Sequence, residues 1–218
     1  MPDEQNDARP TLMMLSHCVP NATGNIDRVR AWQLLRLMSQ THRVHFACLM
    51  DRPVRLAQWR AVHALADRLV LDRRTPWRAL AARCVRAWHG PAGDELAIGD
   101  ALRASVDPWL HEQPYDALLC THPLMWRGVR DIGADLRICD MRLPASLTHL
   151  RQLRECRVRQ RWRHQQQTRL FSAAERIAAA QFDLITVGHP SIEHPFMTAR
   201  CETVVLPDAV DLAHLPHP

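Results

Sequence analysis

The chain of 218 residues contains no lysine, so all 28 of its basic residues are arginines. This absence excludes mechanisms that need a lysine amine, such as Schiff-base catalysis or a P-loop with its phosphate-binding lysine. A genome biased towards arginine codons is the simplest explanation for it. The formal net charge of +5 fits an anionic partner but is too small to indicate nucleic-acid binding.

Other features are also missing. No apolar run approaches the roughly 18 residues of a membrane span, and the first residues are too acidic and polar for a secretory signal. The seven cysteines form no C-x-x-C pair, and several lie in or beside predicted strands, where cysteine acts as a small apolar residue. We expect a reduced, cytoplasmic protein without disulfides or zinc.

Short apolar runs alternate with helical patterns along most of the chain. Strands separated by helices form a parallel sheet with right-handed crossovers, so we predict an α/β, Rossmann-like layered fold. The helical stretches are predicted around residues 31–38, 57–66, 77–88, 95–111, 145–180 and 191–199. The predicted strands are Thr11–Ser16, Arg43–Leu49, Arg68–Leu71, Tyr115–Cys120, Leu136–Asp140, Phe182–Val187 and Thr203–Leu206.

Ligands of open parallel sheets bind outside the carboxyl ends of the strands. This rule selects the loop after Ser16, the Thr121-His122-Pro123 sequence, the region after Cys139-Asp140, and Gly188-His189-Pro190.

The first of these loops lacks the G-x-G-x-x-G spacing, which disfavours NAD or FAD. It leads instead to Asp27, Arg28 and Arg30 at the start of a helix, whose exposed N–H groups attract anions. An arginine there can hold a phosphate with two hydrogen bonds. The alternative is that Asp27 favours the helix N-terminus electrostatically while both arginines are solvated.

The segment from Pro20 to Met38 resembles the opening of GT-B glycosyltransferases of the family-4-like group, nearest the exosortase- and exopolysaccharide-associated subgroup. Those proteins have a Gly-Asp-x-x-Arg stretch and a Leu-Leu pair after the first strand. The chain matches them at Asp27, Arg30, Leu34 and Leu35, with Ile26 in place of the glycine.

The resemblance continues through Ala174-Glu175-Arg176 and Phe182-Asp183. Near the end, Asp208-Ala-Val-Asp211 stands where the group has an Asn-Gly-Val-Asp linker. The resemblance implies a flexible N-terminus at residues 1–10, a GT-B N-terminal-like domain at 11–206, and a remnant of an interdomain linker at 207–218.

The resemblance also implies a function. The chain would be the acceptor-side domain for sugar transfer in polysaccharide or glycoconjugate biosynthesis, without the domain that binds the nucleotide-sugar, and inactive alone. Neither a metal nor a cofactor is expected. The alternatives are a non-catalytic regulatory or scaffolding module, or one subunit of a split glycosyltransferase whose donor domain is a partner chain.

Within that reading, His122 is the candidate catalytic residue. Related sugar transferases often carry a functional histidine after the corresponding strand, and a neutral imidazole can accept a proton or bond to a sugar. Acceptor contacts are expected at Asp27, Arg28, Arg30 and His17. The alternative for His122 is a cap on the helix that starts near Pro123.

The stretch from Arg151 to Arg169 contains seven arginines, Trp162 and one acid, Glu155. A basic helix with an aromatic residue can lie on an anionic membrane, here the inner face, and the resemblance implies a sugar or lipid-linked acceptor. A solvated helix face is the alternative. Nucleic acid is not expected, because no recognised binding motif accompanies the charge.

Overall fold

A computed structural model describes residues 9–50, 53–73, 102–189 and 201–208 of the chain. They contain one parallel sheet of seven strands in the order β3-β2-β1-β4-β5-β6-β7. The α/β, Rossmann-like prediction is therefore confirmed. The strands are β1 Thr11–Ser16, β2 Arg43–Met50, β3 Arg68–Arg73, β4 Tyr115–Cys120, β5 Ala134–Asp140, β6 Leu184–Val187 and β7 Glu202–Val205.

The central strand β1 is buried along its whole length. It lies between β2 and β4, with Leu12 opposite both Val44 and Ala117. Alternate side chains of β1 enter separate apolar clusters, with Leu12 in one and Met13 in the other. Because both faces of the strand are covered, its sequence is a continuous apolar run and not an alternating one.

Helices connect the strands. They are α1 Ile26–Met38, α2 Leu56–His63, α3 at 102–110, α4 Trp126–Val129, α5 Ala145–Glu155 and α6 Val158–Ala179. Helix α1 begins after Asn25, whose side-chain oxygen accepts a 2.8 Å hydrogen bond from the backbone N–H of Asp27. This cap satisfies a free N–H at the helix start and places Asp27 in the first turn.

The helical stretch predicted at 145–180 is divided into two helices. Cys156 and Arg157 have extended backbone, with ψ angles of 156° and 152°. The sequence there has neither glycine nor proline, so local propensity does not explain the break. The break lets α5 fold back against α6, and tertiary packing therefore outweighs local propensity.

Glu175 on α6 closes this helical hairpin. Its carboxylate accepts hydrogen bonds from the backbone N–H of Ser146 at 3.1 Å and from the Ser146 hydroxyl at 2.5 Å. Ser146 lies in the first turn of α5, so Glu175 acts as a helix cap supplied from another element. Glu175 is buried, and burial raises the pKa of its carboxyl group.

Some predicted elements lie outside the described residues. They are the helices at 77–88 and 191–199, the first seven residues of the helix at 95–111, and nearly all of both terminal segments. Within the residues that the structure describes, no helix is both long and apolar enough to span a bilayer.

Candidate functional site at the carboxyl edge of the sheet

The direction in which the chain adds strands reverses between β1 and β4. Strands β1 to β3 extend the sheet to one side, and strands β4 to β7 extend it to the other. Ligands of open α/β sheets bind beside such a reversal, outside the carboxyl ends of the strands. A cavity of about 280 Å³ lies there. It is lined by His17, Asp27, Thr121, His122, Pro123, Met125, Asp140, Met141, Arg142, Leu143, Ala145, Thr148, His149 and Phe171.

Two histidines meet on this cavity because they follow adjacent strands. The rings of His17, after β1, and His122, after β4, have centroids 5.0 Å apart. Nδ1 of His17 is 3.3 Å from the hydroxyl oxygen of Thr121. That hydroxyl donates in turn to the hydroxyl oxygen of Ser16 at 3.1 Å. This chain of polar groups fixes the ends of β1 and β4 relative to each other.

His122 is neutral at physiological pH. Burial, with a smaller contribution from the charge of His17, lowers the pKa of His122 to about 3. Its imidazole can therefore donate one hydrogen bond and accept another, but it is a weak base. Across the described ranges, no group of three or more histidine, cysteine or acidic side chains is arranged to hold a metal ion.

Arg30 is part of a buried ion pair. Its Nε and Nη2 donate to the two carboxylate oxygens of Asp140, both at 2.7 Å. Asp140 also accepts a 2.6 Å hydrogen bond from the hydroxyl of Thr186, and Nη1 of Arg30 donates to Asp208 at 3.1 Å. Although burial lowers the pKa of Arg30, the hydrogen bonds and charges of Asp140 and Asp208 produce a net rise. Arg30 thus joins α1, the end of β5 and the segment after β7.

A second arginine, Arg142, lines the cavity and has two acidic partners. Its Nη2 is 3.4 Å from Asp27 and its Nη1 is 3.3 Å from Asp208. Gly188 packs directly beneath it, with its N–H donating to the Arg142 carbonyl at 3.0 Å. A Cβ at position 188 would meet the Arg142 side chain at 3.0 Å, so glycine allows this close approach.

The structure brings some of the predicted site residues together and separates others. His17, Asp27 and His122 line the cavity, but Arg28 and Arg30 do not. Both arginines are buried, so the alternative of two solvated arginines is wrong. Arg28 donates to the carbonyl of Val19 at 3.1 Å, which fixes the loop before α1.

Sequence reasoning missed one wall of the cavity. His149 on α5 stacks on Phe171 of α6 with ring centroids 5.0 Å apart and planes inclined by 17°. Burial lowers the pKa of His149, with a smaller contribution from His164. In a chain with 13 histidines nothing marks His149, and only the folding back of α5 brings it to the cavity. Arg142 was easier to find, because it follows the selected Cys139-Asp140 region.

No protein-family model matches the sequence, and no curated protein matches it significantly. Among solved structures, the chain is similar to the N-terminal domain of trehalose-6-phosphate phosphatase from Candida albicans. The TM-score is 0.52 at 9% identity, covering 91% of this chain and 48% of that chain. It is also similar to TcCGT1 in complex with UDP, with a TM-score of 0.48 at 11% identity, covering 83% and 44%. The chain therefore spans about half the length of these proteins, and at such identities a likeness concerns the fold alone.

Proposed function

We propose that the chain binds the acceptor of a sugar-transfer reaction in polysaccharide or glycoconjugate biosynthesis, and that a neutral, hydroxyl-rich ligand occupies the cavity. The pairing of charges around the cavity supports this most. Asp140 is matched by Arg30, and Arg142 is matched by Asp27 and Asp208. An anionic ligand would have to displace a carboxylate, whereas a neutral ligand needs only hydrogen bonds.

The lining of the cavity suits a sugar. His17, His122, Thr121 and Thr148 supply groups that donate or accept hydrogen bonds. The stacked pair of His149 and Phe171 gives a flat wall against which the apolar face of a sugar ring can pack. A few polar groups beside an apolar wall are typical of small-molecule sites.

In this proposal, His122 orients the acceptor hydroxyl through a hydrogen bond. As a general base it is too weak by itself, because a base works best with a pKa near the operating pH, well above about 3. An anionic diphosphate beside the imidazole would raise its pKa towards that range. The proposal therefore assigns the nucleotide-sugar to a second domain, in the same polypeptide or in a partner chain.

Ligand titration followed by NMR of the histidine side chains tests the proposal. The probes are maltose as a neutral sugar, glucose 6-phosphate as its charged counterpart, and UDP-glucose as a donor. Maltose is expected to shift the His17 and His122 signals with a millimolar Kd, about −4 kcal/mol. Glucose 6-phosphate should bind no more than about twofold tighter, because Arg30 and Arg142 already hold carboxylates. His122→Ala should abolish the maltose response.

His111→Ala is the matched control, because His111 is 79% exposed and precedes β4 at the opposite edge of the sheet. It should leave the titration unchanged. A saturable Kd for UDP-glucose in the low micromolar range, about −8 kcal/mol, would show that this chain holds the donor itself. A much tighter Kd for glucose 6-phosphate than for maltose would contradict the argument from paired charges.

The low pKa of His122 also favours a second function, a non-catalytic regulatory or scaffolding module that binds the same acceptor. The two functions differ in whether His122 is needed for turnover. In extracts that contain the complete transfer system, His122→Asn at unchanged protein level should abolish transfer by an enzyme. If the chain is a scaffold, the variant should raise the acceptor concentration needed for half-maximal transfer but leave the transfer rate at saturating acceptor unaltered.

A further inference from the structure

The turn between α5 and α6 carries a basic surface that the cavity does not use. We call it the hairpin tip and define it by its exposed residues, Arg151, Arg154, Arg157, Val158, Arg161 and Trp162. Val158 is 77% exposed and Trp162 is 67% exposed. Large apolar side chains this exposed, grouped among cations, indicate a surface that contacts another body.

The two apolar residues point away from the protein. Val158 precedes the buried Gln167 by nine residues, and Trp162 precedes the buried Phe171 by nine. At 3.6 residues per turn, nine residues correspond to opposite sides of a helix. Val158 and Trp162 are four residues apart, so they share this outward side of α6.

The charges at the hairpin tip are almost all of one sign. From Arg151 to Arg163 the sequence has six arginines against one acid, Glu155. In the part of the chain that the structure describes, no ion pair joins Arg154, Arg157 or Arg161 to a carboxylate.

At the start of α6, helix polarity disfavours the cations of the hairpin tip. The first turn of α6 has no acidic residue, and the side chain of Arg157 at its N-cap accepts no hydrogen bond from the described part of the helix. Cations at a helix N-terminus oppose the helix dipole, whereas Arg154 in the last turn of α5 favours the dipole of that helix. An anionic surface against the hairpin tip would offset the repulsion among the arginines and their unfavourable interaction with the dipole of α6.

We propose that the hairpin tip docks on the surface of an anionic lipid bilayer. Guanidinium groups pair with lipid phosphates, the indole of Trp162 suits the interface, and Val158 enters the boundary with the acyl chains. A nucleic acid would match the charge but would leave the aliphatic Val158 without an apolar environment. The proposal is independent of the cavity, because none of its residues lines it.

Co-sedimentation with vesicles tests this directly. The whole chain should sediment with equimolar phosphatidylglycerol and phosphatidylcholine but not with phosphatidylcholine alone, and added salt should release it. The double variant Arg157→Gln, Arg161→Gln should lower the partition coefficient by about 25-fold, at about fivefold for each arginine. Trp162→Ser should weaken binding at unchanged charge.

Helix α2 supplies matched controls. Arg55→Gln with Arg60→Gln makes the same change of charge at exposed positions, and Trp59→Ser removes a tryptophan that is 39% exposed. Both should leave vesicle binding within about twofold, since neither touches the hairpin tip. Equal losses in the test and control variants, or equal sedimentation with neutral vesicles, would overturn the proposal. So would tighter binding to a single-stranded RNA than to anionic vesicles, lost in the same double variant.

Discussion

Arginines in two regions of this molecule have opposite surroundings. At the carboxyl edge of the sheet, Arg30 is 5% exposed and holds Asp140 with two hydrogen bonds. At the hairpin tip, Arg154, Arg157 and Arg161 are exposed and belong to a stretch with a single acid. The net charge of the chain does not distinguish these regions. The difference teaches that an arginine-rich composition predicts a partner only where the arginines are left unpaired by the fold.

The largest effect on the free energy of unfolding is expected when the buried ion pair between Arg30 and Asp140 is removed. Arg30→Met should reduce the free energy of unfolding by about 3–5 kcal/mol, because Asp140 is left as a buried charge without its cation. Urea-induced unfolding measures the change. Arg36→Met on the exposed side of the same helix is the control, with an expected change within about 0.5 kcal/mol. A small effect of Arg30→Met would mean that Asp140 is protonated or hydrated in the folded protein.

A second prediction concerns the buried histidine His45. Nδ1 of His45 lies 2.8 Å from the Tyr115 hydroxyl, while its buried Nε2 has no hydrogen-bond partner among the residues that the structure describes. Burial, followed by the charges of Arg68 and Arg43, lowers the pKa of His45 to about 4, against smaller opposing effects of Asp67 and Glu112. Because the folded pKa lies below the unfolded value of about 6.5, only the unfolded chain gains this proton between pH 6.5 and 4.

Stability should therefore fall as the pH decreases through that window, and His45 alone accounts for roughly 3 kcal/mol of the loss. His45→Gln should remove this part of the pH dependence, which unfolding curves at several pH values can measure. His122 and His149 act in the same direction but are present in both the native protein and the variant. The difference between the two pH profiles therefore reports on His45 alone. Identical pH profiles for the two proteins would contradict the buried, neutral histidine.

A smaller effect is expected at the other contact of Asp140. Thr186→Val removes the 2.6 Å hydrogen bond to the carboxylate but leaves both bonds from Arg30. A hydrogen bond to a charged acceptor contributes about 2 kcal/mol. Thermal or urea unfolding should show that loss, and Thr41→Val, at an exposed position, should show almost none. A loss as large as that of Arg30→Met would mean that Thr186 fixes the position of Asp140.

The smallest effect on stability is expected at the hairpin tip. Arg157→Gln with Arg161→Gln should change the free energy of unfolding by less than about 0.5 kcal/mol, and a slight stabilisation would fit the relief of repulsion. The same unfolding assay used for Arg30→Met applies. A large destabilisation would show that these arginines have structural partners, and the contrast between the two regions would disappear.

The sequence predicts the sheet well because burial on both faces requires continuous apolar runs. Residues such as Met13 and Leu118 make β1 and β4 recognisable without any knowledge of their neighbours. The rule for parallel sheets then places His17 and His122 at one edge, where their rings lie 5.0 Å apart. Whether these residues take part in catalysis stays a prediction.

The pairing of Arg30 with Asp140 could not be read from the sequence. The two residues are separated by 110 positions, and their contact depends on the strand order and on the register of β5. The break at Cys156 was hidden for a related reason, since it is caused by packing of α5 on α6 and not by a local signal. Without that break, His149 could not be assigned to the cavity wall.

Helix α6 connects the two regions and therefore acts as a spacer. Phe171 on the cavity wall follows Val158 at the hairpin tip by thirteen residues. At a rise of about 1.5 Å per residue, the two positions lie roughly 20 Å apart along the helix axis. With the hairpin tip at the lipid headgroups, the cavity stands at most about that height above the bilayer. A lipid-linked acceptor would then reach it only if its head extends that far from the membrane, so the length of α6 would select acceptors by size.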